Sequence, residues 1–136
     1  MKTAMVGVVA AGVFLVGAGT AMAGSWHDLP QMTPTGVTFD KGQYRFNAAG
    51  QNHGAFEWTG HLKDASASDG HNVYMQVRIE GHDWVRYNGK QRQTVFMHHL
   101  NWDGAQRYTD DADLRACRDR GSLRPDNCSF TNHFKP

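Results

Sequence analysis

His71-Asn72-Val73-Tyr74-Met75-Gln76-Val77-Arg78-Ile79-Glu80-Gly81 runs on through His82-Asp83-Trp84-Val85-Arg86-Tyr87-Asn88-Gly89 and from Lys90 to Leu100. Val73, Met75, Val77 and Ile79 are apolar, while Asn72, Gln76, Arg78 and Glu80 are polar. Strict alternation is the period of a strand with one buried face. Asn88-Gly89 then separates two more strand-like runs. Both residues tolerate positive φ, which a two-residue type I′ turn requires, so the pair predicts a hairpin. In that hairpin Tyr87 faces Lys90, Arg86 faces Gln91, Val85 faces Arg92 and Trp84 faces Gln93. Neither face of the tip reads as core. The sequence therefore predicts a projecting finger that carries three cations and two large aromatic rings.

The same alternation extends outward from this stretch. Upstream, Phe56, Trp58, Gly60 and Leu62 alternate with Glu57, Thr59, His61 and Lys63, which predicts a strand with a clean apolar face and a core position for Trp58. Tyr44, Phe46 and Ala48 alternate in a second run. Val37 to Phe39 begins another, and Asp40-Lys41-Gly42 between them reads as a turn. Residues 24–35 read as an irregular arm holding Trp26, Pro30 and Pro34. Downstream, Thr94 to Leu100 reads as a strand and Asn101 to Gly104 as a turn. Thr109 to Gly121 carries helix end signals, with Asp residues at its start, Arg118 and Arg120 near its end and Gly121 after them. Its apolar stripe is thin, however, and a strand with Leu114 and Ala116 on one face and Cys117 on the other is the preferred reading. Phe130 and Phe134 in the tail are expected to dock on the core. Short strands punctuated by Gly and Asp predict an all-β, single-domain antiparallel β-sandwich, with jelly-roll connectivity one option.

Composition agrees. Acidic residues comprise eleven Asp and two Glu, and Asp favours turns where Glu favours helices. At the N-terminus Lys2 precedes an uncharged apolar run, Met5 to Gly19, followed by Ala21-Met22-Ala23. That pattern predicts a signal peptide over 1–23, cleaved after Ala23, with a secreted domain over 24–136. The run is short and rich in Gly and Ala, so no membrane span is expected once the signal is removed. The chain has 14 basic and 13 acidic side chains, and loss of Lys2 makes it neutral, so charge offers no argument for nucleic acid. Cys117 and Cys128 are the only cysteines, and an exported chain predicts a disulfide between them.

The run Ala116-Cys117-Arg118-Asp119-Arg120-Gly121, with Asp126-Asn127-Cys128 after it, resembles the ending of a group of small secreted actinobacterial β-rich proteins of unassigned function. The resemblance implies a β-rich body, a strand over 112–119 and the same late disulfide. It carries over no active-site residue.

For function, the sequence favours a non-catalytic binding module contacting a glycan, an envelope polymer or a secreted protein. Trp84, Arg86, Tyr87, Lys90 and Arg92 on the predicted finger are the candidate contacts, with Trp102 beside the next turn. Aromatic faces suit sugar rings, since they are both apolar and electron-rich. The competing readings are a small hydrolase or nuclease and a structural or inhibitor protein. No cofactor is assigned. Asp110, Asp111 and Asp113, with Asp103 and Asn101, form a candidate Ca²⁺ set, although turn and cap roles explain the same residues more simply. His98 and His99 are neighbours on a strand and point to opposite faces, so they cannot share one metal. Their spacing to Asn127 and His133 does not fit a His-Asn-His nuclease.

Overall fold

Alternating sequence becomes nine strands among the residues described, 24–136 of a computed structural model. The expected signal peptide, 1–23, lies outside them. One sheet has the order β1 (His27–Asp28), β2 (Val37–Phe46), β3 (Phe56–Asp64) and β6 (Thr94–Asn101). The other has β5 (Val85–Asn88), β4 (Val73–Ile79), β7 (Ala112–Arg118) and β8 (Asn127–Cys128), with β9 (Asn132–Phe134) also on β7. All pairings are antiparallel. The two sheets pack face to face around one core, so the fold is an all-β sandwich.

The inner faces are those the alternation marks. Phe56, Trp58 and Leu62 of β3 meet Val73, Met75, Val77 and Ile79 of β4 and Ala112, Leu114 and Ala116 of β7. Fully burying such a side chain is worth about 1.5–3 kcal/mol. Trp58 is completely buried, and its indole N–H donates to Asn101 Oδ1 at 3.0 Å. Asn101 Nδ2 in turn donates to the Tyr87 hydroxyl at 2.7 Å. Gly60 lacks a side chain because the Phe39 ring lies over it, with Phe39 Cζ only 2.1 Å from where a Cβ would stand.

Asn88-Gly89 is not a hairpin turn. Neither residue adopts positive φ; Glu80 (φ 53°) and Gly81 (φ 75°) do. The tight turn falls there, with His82 N donating to Ile79 O at 2.9 Å, and β5 folds back on β4 with Val85 opposite Val77 and Tyr87 opposite Met75. After Asn88 the chain crosses to the other sheet, and β6 pairs with β3 along its whole length. Two pairing choices competed for the same residues. Joining β5 to β4 packs Tyr87 against the core while Val85 stays 44% exposed, whereas a hairpin at Asn88 would leave both strands without a core face.

Asp40-Lys41-Gly42 also differs from expectation. It is a bulge inside one ten-residue strand, not a turn between two. Register passes from Asp40 opposite His61 to Gln43 opposite Thr59, and Lys41 takes φ 55°. One extra residue reverses the parity, so Val37 and Phe39 before it and Tyr44 and Phe46 after it all point inward.

Residues 112–118 form a strand. Leu114 and Ala116 face inward, and Cys117 on the outer side is joined to Cys128. The N-terminal arm is only partly irregular: His27 and Asp28 pair with Tyr44 and Gln43, and Leu29 and Met32 are buried. In the tail, Phe134 docks against Tyr44, with ring centroids 4.5 Å apart. Phe130 does not dock and stays 94% exposed.

Candidate functional site

The predicted finger residues are dispersed. Trp84 lies on the outer face of the second sheet, between the guanidinium groups of Arg78 and Arg115, each 4.2 Å from a ring centroid. Arg86 lies over the Tyr74 ring at 3.6 Å and donates to Asp119 at 2.9 Å and Asn88 at 2.7 Å. Their cationic and aromatic faces are thus already engaged within the molecule. Tyr87 turns inward and stacks on His99 at 3.6 Å. Burial, and then the neighbouring His98 charge, hold the His99 imidazole below its usual pKa. Lys90 and Arg92 are exposed in the crossover, where Arg92 N donates to Asp64 Oδ2 at 2.9 Å. Of the six candidates, Trp102 alone stands at an open groove.

That groove is built by two loops. The β2–β3 connection places Asn52 (φ 47°), His53 (φ 61°) and Gly54 (φ 61°) successively in left-handed conformation. This is costly for the two non-glycine residues and is held only by the surroundings. Gly54 provides the hold: its O accepts from Thr109 N at 2.7 Å, and an added Cβ would stand 2.4 Å from Arg107 O. The loop is thereby pinned to the β6–β7 connection. The His53 ring lies 4.1 Å above Trp102 and within 6° of parallel, yet Trp102 remains 43% exposed. Gly50, Asn52, His53, Leu100 and Trp102 line an open groove of about 670 Å³.

A polar network continues from this groove across the outer face of the first sheet. Asn52 Nδ2 donates to Asn47 Oδ1 at 3.1 Å, and Asn47 Nδ2 donates to Glu57 Oε1 at 3.1 Å. Arg45 Nε donates to the same oxygen at 2.7 Å, and His98 Nε2 lies 2.6 Å from Oε2. Leu100 is directly opposite Glu57 in register. Trp26 caps the cluster, with the Arg45 guanidinium 4.5 Å from its ring centroid. Burial pushes the Glu57 carboxyl up, but bonds to His98, Arg45 and Asn47 outweigh it and hold the group below its usual range. Glu57 is therefore a fixed carboxylate, with a half-exposed imidazole and a guanidinium on its open side.

Arg45, Asn47 and Glu57 were not candidates from sequence. The alternation marks them as an outer polar face, where solvated groups are the ordinary outcome. Only register shows that Arg45, Glu57 and His98 converge. A usable signal is present in Glu57 itself, a glutamate near the start of β3 flanked by Phe56 and Trp58.

The candidate Ca²⁺ residues do not converge. Asn101 is turned inward on Trp58, Asp103 bonds His82 at 2.8 Å, and the backbone N–H of Asp110 donates to Glu80. Asp111 and Asp113 come together instead with His133, whose Nδ1 is 2.5 Å from Asp113 Oδ1 and Nε2 is 3.4 Å from Asp111 Oδ1. Arg78 occupies the other Asp113 oxygen at 2.8 Å. A Ca²⁺ cage takes six to eight oxygens. Here two carboxylates stand beside an imidazole and a guanidinium, and the His133 contacts fasten β9 to β7.

In comparisons with known proteins, no family model, curated protein or solved structure matches this chain. The reading of the site rests on its own chemistry.

Proposed function

We propose that the protein is a secreted, non-catalytic binding module whose ligand is a glycan or cell-envelope polymer lying along the Trp102–His53 groove. The observation that carries this reading is the half-exposed Trp102 ring, stacked on His53 of a strained, pinned loop, with the Asn52 amide beside it in the groove. Apolar ring faces receive the C–H faces of a sugar, while Asn52, Arg45 and His98 are placed to meet hydroxyl groups. Rigid presentation reduces the entropy lost on binding. The Cys117–Cys128 disulfide fits an oxidising compartment outside the cytoplasm.

A depletion assay tests the proposal. The protein is incubated with insoluble cellulose, chitin, xylan and peptidoglycan at low and high salt, and the fraction left in solution is measured. Salt-resistant loss onto at least one polymer is expected. Trp102→Ala should abolish that loss while the protein stays folded, with the melting temperature lowered by only a few degrees for the lost His53 stack. If Trp102→Ala is depleted as the parent is, or if the parent binds none of these polymers, the groove is not a glycan site.

A further inference from the structure

Among the described residues β6 is the open edge of the first sheet, with β3 as its one neighbouring strand. Natural edge strands are kept short, bulged, or supplied with charge or proline, since their free N–H and C=O groups otherwise recruit another strand. The other edges follow this rule. β1 has two residues and includes Asp28. β5 has four and includes Arg86, and β8 and β9 have two and three. β6 does not. Its eight residues, Thr-Val-Phe-Met-His-His-Leu-Asn, contain no Lys, Arg, Asp, Glu or Pro. Its register against β3 is unbroken from Thr94 opposite Lys63 to Asn101 opposite Phe56, so no bulge turns the edge away. Its third residue, Phe96, is 59% exposed.

We infer that β6 pairs antiparallel with β6 of a second copy of this chain, about a two-fold axis normal to the sheet. Two four-stranded sheets then continue into one. The strand ends favour a second copy over an unrelated peptide. Lys90 and Arg92 precede β6, and Asp103, whose carboxylate also bonds His82 at 2.8 Å, follows it. Antiparallel self-pairing sets the basic end of one copy beside the acidic end of the other, twice, by symmetry. Side chains meeting across the axis share a face, so Phe96, His98 and Leu100 assemble on the outer side. That is also the face carrying the Trp102 groove. A consequence, which rests on the glycan reading, is that both grooves open on one surface and a long polymer can engage the two together.

Sedimentation velocity on residues 24–136, which contain both sheets and the whole core, tests the pairing between about 1 and 200 µM, a range that brackets micromolar association. A dimer fraction that grows with concentration is expected. With the axis at Met97, beside the middle of β6, the two Phe96 side chains are diagonal neighbours, so Phe96→Lys and Phe96→Glu each set like charges across the axis, and each should raise the dissociation constant about tenfold or more. An equimolar mixture of the two should associate more tightly than either alone. Phe96 is exposed, so circular dichroism should show parent-like folding in both variants. A parent that stays monomeric, a dimer that neither variant weakens, or a mixture no tighter than its components would overturn the inference. Trp102→Ala should remain dimeric, so a missing dimer and a missing glycan site give separate results.

Discussion

Glu57→Gln keeps the shape of the buried side chain and removes its charge. Three donors converge on this carboxylate: Arg45 Nε at 2.7 Å, Asn47 Nδ2 at 3.1 Å and His98 Nε2 at 2.6 Å. A hydrogen bond to a charged group contributes about 1.5–3 kcal/mol. The side chains of Arg45 and His98 are 27% and 46% exposed, so solvent screening reduces their share considerably. Gln retains one oxygen for Arg45 and Asn47, which reduces the loss again. The expected cost is about 1–2 kcal/mol at pH 7, or roughly 4–8 °C in melting temperature for a domain of this size. Acidification supplies a second arm. Glu57 has its carboxyl held below the usual range in the folded state, so the unfolded chain takes up the proton first as pH falls. The stabilisation is fully present above the unfolded value of about 4.3 and is lost as pH drops through the folded one. Thermal melts of parent and Glu57→Gln should differ at pH 7 and converge toward pH 3. Equal melting temperatures at pH 7, or an unchanged gap at pH 3, would refute the claim that carboxylate charge organises this cluster.

Three further outcomes follow from the packing. Gly60→Ala drives a methyl group into the Phe39 ring, 2.1 Å from the built Cβ, and should cost about 1–3 kcal/mol or more by urea titration; a neutral result would mean that the ring moves freely. Replacing both Cys117 and Cys128, eleven residues apart, by Ser should lower the urea midpoint by the equivalent of about 3 kcal/mol, and an unchanged midpoint would place the stability of the β7–β8 corner elsewhere. Trp84→Ala removes the ring that both Arg78 and Arg115 contact and should lose about 1–2 kcal/mol of stability while polymer depletion stays at the parent level. Loss of binding in a folded Trp84→Ala protein would move the contact surface to the second sheet.

The all-β class, the strands β3, β4, β6 and β7, the burial of Trp58 and the Cys117–Cys128 bond were all legible in the chain. Each depends on a short-range property. Period-two alternation states which side of a strand meets the core, whatever that strand pairs with, and two cysteines eleven residues apart have no other partner. Strand pairing was not legible in the same way. Asn88-Gly89 and Glu80-Gly81 both permit positive φ, and only the packing of Tyr87 against the core selects the second. The bulge at Lys41 disguised one strand as two, because an extra residue breaks the alternation that a turn would also break. The groove was hidden for the same reason. Trp102, His53, Glu57, Arg45 and His98 come from three strands and two loops, and only the register of β2, β3 and β6 brings them together. Alternation is set by the geometry of a single strand and can be read along the chain. Which side chains become neighbours across strands is set by burial of the whole core, and that was decided only by the tertiary structure.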